Sequence, residues 1–164
     1  MRLPGNRDTL LTMDDTALSA LCRITFSKGS GPGGQKRNKT SSAVTVTLPD
    51  TDYCAADCTE RSQFRNRANA LKKLRMQIAL NLRQLPAEVP ENINCSLSSP
   101  AYPLFAAQLL DLFADSQLDH KTAAEKCGLS STAILKKFYR DPQLWQCVQQ
   151  MRRDAGLPPF AAPK

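Results

Sequence analysis

The stretch "FSKGSGPGGQKRNKTSSAVTVTLP", residues 26–49, packs four glycines and a proline into positions 29–34 and ends in a strictly alternating run. Val44, Val46 and Leu48 alternate with Thr45 and Thr47, the period of a half-buried strand, and Pro49 closes it. Upstream, "CRITF" (22–26) reads as another strand. The glycine-rich segment is therefore expected to join two strands, and that position excludes its two commonest readings. Gly29, Gly31 and Gly34 satisfy G-x-G-x-x-G, but a dinucleotide site needs a helix at the last glycine to meet the pyrophosphate. A phosphate loop needs Lys and then Ser/Thr after Gly34, where Gln35 and Lys36 stand. Gly31 before Pro32 is pushed toward extended backbone, and Gly33 and Gly34 reach angles barred to other residues. Such a main chain can enter a crowded space with Gln35 at its tip; the plainer alternative is a flexible hairpin connection.

Working outward, Asp14–Ala20 predicts a short helix with its acids at the N-terminal end, and "DYCAADC" a third strand after a turn at 50–52. From Glu60 to Leu85 the period becomes helical. Phe64, Ala68, Leu71, Ile78 and Leu82 share one face with Leu74 at its edge, and Arg75 on that face must pair or snorkel. Arg61, Arg65, Lys72 and Arg83 follow one flank. These elements predict an α+β fold: a small mixed sheet with a packed long helix, residues 1–85. A linker with four prolines is expected over 86–103, then an all-α domain over 104–164. Its helices are expected at 104–114, 121–127, 131–139 and 142–154. Ala124, Gly128 and Ile134 are spaced as in a helix-turn-helix, with Ser130 or Ser131 as cap and Lys136, Lys137 and Arg140 as phosphate-facing cations. The alternative is an ordinary helical hairpin with Trp145 in its core.

Net charge is +7 over 164 residues, and it is unevenly spread. Residues 21–85 hold twelve Lys/Arg against four Asp/Glu, a surplus of +8 that leaves −1 for the remainder. A basic surplus in one domain points to a polyanion, most simply nucleic acid. Six scattered cysteines and a single histidine, His120, offer no second close pair beside Cys54 and Cys58, so no metal site is expected. No apolar run approaches the length that spans a bilayer, and no signal-peptide core stands at the start, so a soluble cytoplasmic protein is expected.

"SGPGGQKRNKTSSAV" resembles the catalytic segment of class I peptide-chain release factors and of the smaller release-factor-like ribosome-rescue hydrolases, with Gly33, Gly34, Gln35, Asn38 and Lys39 at matching positions. "ERSQFRNRANALKKL" resembles the second motif of that family through Arg61, Ser62, Gln63, Asn66 and Arg67. The resemblance spans about 21–85 and departs at Lys36 and Arg37. It implies ribosome-dependent hydrolysis of the peptidyl-tRNA ester, with Gly33, Gly34 and Gln35 catalytic. Lys28, Lys36, Arg37, Asn38, Lys39, Arg61, Arg65 and Lys72 would then contact RNA. The implied partners are the rRNA of the large ribosomal subunit and P-site peptidyl-tRNA, with no cofactor, no membrane and a monomer off the ribosome. Because stop-codon reading needs further domains, codon-independent rescue is the expected mode. The rival expectations are an RNA- or ribosome-binding regulator without hydrolysis, and a nucleic-acid-binding regulator run by the helix-turn-helix.

Overall fold

The computed structural model describes residues 5–27 and 42–163. The chain divides into two compact units, Met1–Ile78 and Ala79–Lys164. In the first, α1 (Arg7–Thr12) and α2 (Asp15–Leu21) precede the strands β1 (Arg23–Ser27), β2 (Ala43–Thr47) and β3 (Cys54–Asp57), and α3 (Gln63–Asn81) follows. The order β1-β2-β3 is antiparallel throughout the described residues, rather than mixed, with Ser27 opposite Ala43 and Val44 opposite Asp57. Alternation decides the faces as expected: Val44, Val46 and Leu48 are fully buried, while Thr45 and Thr47 stay half-exposed. At 48–53 the chain turns, with Asp50 in the left-handed region (φ 59°), the Leu48 amide donating to Tyr53 O and the Thr51 hydroxyl to Leu48 O.

α3 carries the apolar stripe that the periodicity announces, and Leu71, Leu74 and Ile78 are sealed. Arg75 does pair: it reaches Asp15 at 2.6 Å and donates to Met13 O at 2.8 Å. Two parts of the expectation fail. The helix stops at Asn81, four residues short of Leu85, and Phe64 is 81% exposed although it shares the core-facing side. On that side the first fully buried residue is Leu71, with Phe64 one of five consecutive exposed residues, 61–65. Helix α1 had no sequence forecast; six residues give too little periodicity, and it forms because Asn6 caps it and Leu10 and Leu11 are buried.

The second unit holds α4 (Tyr102–Asp115), α5 (His120–Lys126), α6 (Ser131–Tyr139) and α7 (Pro142–Asp154). Leu109, Leu110, Leu112 and Phe113 on α4 and Ile134, Phe138, Leu144 and Val148 on α6 and α7 are fully buried, and Phe113 meets Phe138 edge-on at 5.3 Å. The chain after α7 folds back over this helix. Gln149 exchanges two hydrogen bonds with the backbone of Phe160 (2.8 and 2.9 Å), and Arg152 donates to Pro158 O at 2.7 Å while covering the Phe160 ring at 4.0 Å. Phe160 thereby meets His120, Phe113 and Trp145, with ring centroids 4.9, 6.0 and 6.4 Å away.

Burial against this aromatic group is the main reason the His120 pKa lies below its ordinary value; Lys121 and Arg152 add to the shift and Asp119 opposes it. The folded state thus prefers the neutral ring. That preference stabilises the unit above about pH 6.5, the unfolded value, and is lost as pH falls below it, because the unfolded chain binds the proton more readily. Thermal unfolding of the full chain followed by Trp145 fluorescence is expected to show a midpoint that falls between about pH 6.5 and 5, and His120→Gln is expected to flatten that slope.

Candidate functional site

Gly33, Gly34 and Gln35 lie outside the described residues, as do Lys28, Lys36, Arg37, Asn38 and Lys39. The structure does describe what holds the two ends of that segment. Ser27 and Ala43 form the last registered pair of β1 and β2, so both ends leave one hairpin. The C-terminal end is gripped from α3. Asn66 is fully buried; its Nδ2 donates to Ser42 O (2.6 Å) and Glu60 O (2.8 Å), and its Oδ1 accepts from the Glu60 amide (2.8 Å). An asparagine amide offers two donors and an acceptor, and here all three functions are used on backbone. One side chain therefore fixes the residue before β2, the turn before α3 and the first turn of α3 itself.

A second polar clamp lies beside it on the same helix. Asp57, buried at the end of β3, accepts from the Thr59 amide (3.0 Å), the Thr59 hydroxyl (2.7 Å) and Asn69 (3.4 Å), and pairs with Lys73 at 2.7 Å. Lys73 also donates to Ala56 O at 3.1 Å. Burial alone would raise the Asp57 carboxyl, but the hydrogen bonds from Lys73, Thr59 and Asn69 outweigh it and hold the pKa at about 2. Asn66, Asn69 and Lys73 sit three or four residues apart and so face one side of α3.

Of the expected RNA contacts, Arg61, Arg65 and Lys72 are described, and all three are exposed. Arg65 lies 3.7 Å from Glu60, a solvent-facing pair worth little, which leaves its guanidinium accessible to an anion. Arg83 does not continue their flank. It is largely buried, 3.4 Å from Asp111, and donates to Ala107 O and Ala79 O. Arg67, at a matching motif position, donates to the buried Ser19 hydroxyl at 3.0 Å and ties α2 to α3.

In the second unit, α5 and α6 are joined by a helix-ending turn: Gly128 is left-handed (φ 64°), its amide donates to Glu125 O and that of Leu129 to Ala124 O. Ser130 caps α6 by accepting from the Ala133 amide at 3.2 Å. The expected phosphate-facing cations are mostly used internally. Lys137 donates to Asn94 at 2.9 Å, and Arg140 donates to Cys95 O and lies over the rings of Tyr102 and Phe105; Lys136 alone of the three is exposed. No group of three or more His, Cys, Asp or Glu among the described residues is placed to hold a metal ion. No described helix is long and apolar enough to cross a membrane.

The RF-1 domain family matches residues 16–95, which takes in all three strands, α3 and the glycine-rich segment. Through these residues, just under half of the chain, the protein is similar to that family. Peptide chain release factor 2 of Paramagnetospirillum magneticum is 39% identical over 84 residues, 49% of this chain and 23% of that protein. Peptide chain release factor 1 of Acidiphilium cryptum is 48% identical over 76 residues, 46% of this chain and 20% of that protein. The same factor of Endomicrobium trichonymphae is 48% identical over 56 residues, 34% and 16% of the two chains. The chain thus spans less than a quarter of the length of these relatives, and no solved structure matches it.

Within the matched residues, the sequence places Asn66 in a motif without a task, and the Asp57 clamp has no local signal. The signal for the first was available: an asparagine inside a helix is disfavoured unless its amide is used elsewhere. Asp57→Asn is expected to lower the stability of the full chain by about 2 kcal/mol at pH 7, the equivalent of a depression from 3.8 to about 2. The carboxylate's contribution is present above about pH 4 and is lost as pH falls toward 2, so denaturant unfolding at pH 7 and pH 2 should show the difference between wild type and variant shrinking.

Proposed function

We propose that this chain is a ribosome-dependent peptidyl-tRNA hydrolase that releases nascent peptides without reading a codon. The observation that carries the reading is the intact Gly33-Gly34-Gln35 within an RF-1 domain whose relatives are peptide chain release factors. Its setting supports it: the segment leaves a β-hairpin whose far end Asn66 holds by its backbone. The chemistry asked of Gln35 suits its side chain. Glutamine has no titratable group near neutral pH, so it serves by positioning rather than by acid-base exchange. An ester needs one oriented water and a donor for developing negative charge. The Gln35 side-chain amide orients the water and its backbone N–H donates to the oxyanion or the leaving hydroxyl. Gly33 and Gly34 give the backbone its path.

Lys28, Lys36, Arg37, Asn38 and Lys39 contact rRNA or tRNA of the large subunit, with Arg61 just before α3 and Arg65 and Lys72 on it. Contacts of this kind fix position and carry no sequence information. In this reading residues 1–85 are catalytic, 86–103 link, and the helical residues 104–164 dock the protein in the cytoplasmic ribosome. Residues 96–164 lie outside the family match, and four helices account for most of them, which supports a docking role separate from chemistry.

The test is release of labelled peptide from ribosomes carrying peptidyl-tRNA and an empty A-site codon. Wild type is expected to release peptide at sense codons and without a codon alike. Gly34→Ala and Gln35→Ala are expected to slow release by on the order of 10²-fold with unchanged unfolding midpoints. Ribosome binding without release by wild type would favour a regulator that does not hydrolyse, and release confined to stop codons would overturn codon independence.

A further inference from the structure

Phe64 is the most exposed large apolar side chain of the described residues, at 81%, although its helical position repeats that of Leu71 two turns on. Burying a phenylalanine is worth about 1.5–3 kcal/mol, and here that gain is left unrealised at a position with apolar neighbours in sequence register. A lone exposed apolar residue is ordinary, but the surroundings of this one are not. Arg61 precedes it by three residues; Arg65, whose side chain is 71% exposed, follows it directly; and Lys72 lies about 80° around the helix from it. Asn66, two residues on, holds Ser42 at the end of the glycine-rich segment. An uncovered aromatic ring is thus interleaved with three exposed cations at the start of α3, the helix whose Asn66 holds Ser42.

We propose that Phe64 is a stacking platform for an unpaired RNA base, with Arg61, Arg65 and Lys72 holding the phosphates on either side of that nucleotide. The inference rests on the ribosome-dependent reading for the identity of the RNA and deepens it by naming a base contact. The flanking charges select a polyanion over an apolar protein surface. Protein docking grooves for a single aromatic tend to be poor in like charge at their centre, whereas single-stranded RNA is held by aromatic faces between cations. An adjacent guanidinium adds to the stack, since Arg planes pair with bases as rings do. A single-stranded base also explains why the ring stays in water until the partner arrives: its face is the binding surface.

The experiment compares full-chain wild type with Phe64→Ala, Phe64→Leu and Phe64→Trp in two assays: binding and peptide release on empty-A-site ribosomes, and binding to a twelve-residue oligoadenylate. Because the side chain is exposed, none of the variants should move the unfolding midpoint. Loss of one stacked base should raise the half-saturating concentration about fivefold or more for Phe64→Ala and, because leucine has no aromatic face, also for Phe64→Leu; Phe64→Trp should match wild type. Leucine binding as well as phenylalanine would mean an apolar protein contact and would overturn the proposal, as would unchanged binding by Phe64→Ala. If wild type neither binds nor releases on ribosomes, the ribosomal reading fails, and the oligoadenylate decides the stacking alone. Weaker oligoadenylate binding by Phe64→Ala and Phe64→Leu would then support it, and equal binding, or none by wild type, would overturn it.

Discussion

A buried amide on a helix organises the first unit of this protein. Asn66 spends both donors and its acceptor on three backbone groups, and those groups belong to stretches that are far apart in sequence: Ser42 before β2 and Glu60 before α3. Removing the side chain would strand these groups, at about 1–3 kcal/mol for each that water cannot reach. Consequently the hairpin end, the turn and the helix start behave as one body. The neighbouring Asp57 clamp does the same for the other side of that turn, joining β3 to α3 through Thr59, Asn69 and Lys73. For the proposed presentation of Gln35 to an ester, the glycines help only if the ends of the segment are fixed, and Asn66 fixes the residue that precedes β2.

The distribution of cations divides the two units by role. In the helical unit the positive side chains are largely committed to structure: Arg83 with Asp111, Arg140 over Tyr102 and Phe105, Lys126 with Asp115 at 2.6 Å, and Arg152 to Leu118 O and Pro158 O. In the first unit Arg75, Arg67 and Lys73 are likewise engaged, yet Arg61, just before α3, and Arg65 and Lys72 on it are exposed. Surplus charge that is not needed for folding is what a polyanionic partner can use.

Periodicity made most of the architecture legible. Alternation over 44–48 set β2 and its buried face, and the helical spans expected at 131–139 and 142–154 are those of α6 and α7. What pattern alone misjudged was coverage. Phe64 is helical as the period requires but uncovered, and Arg83 lies past the end of α3; whether a face is covered and where a helix stops depend on neighbouring elements, which no local pattern contains. Phe160 escaped notice for a related reason, since "PPFAAP" has no period and its packing on His120 and Trp145 arises from a fold-back contact. The candidate chemistry came from the resemblance of two sequence motifs, whereas the hydrogen bonds around them depend on residues distant in sequence.

The most direct test is the maximal rate of peptide release by Asn66→Ala at saturating concentration, on protein whose helical content matches wild type. The structure predicts a fall of about tenfold or more, because a displaced near-attack geometry cannot be recovered by tighter binding. A folded Asn66→Ala protein that releases peptide at the full wild-type maximal rate would contradict it.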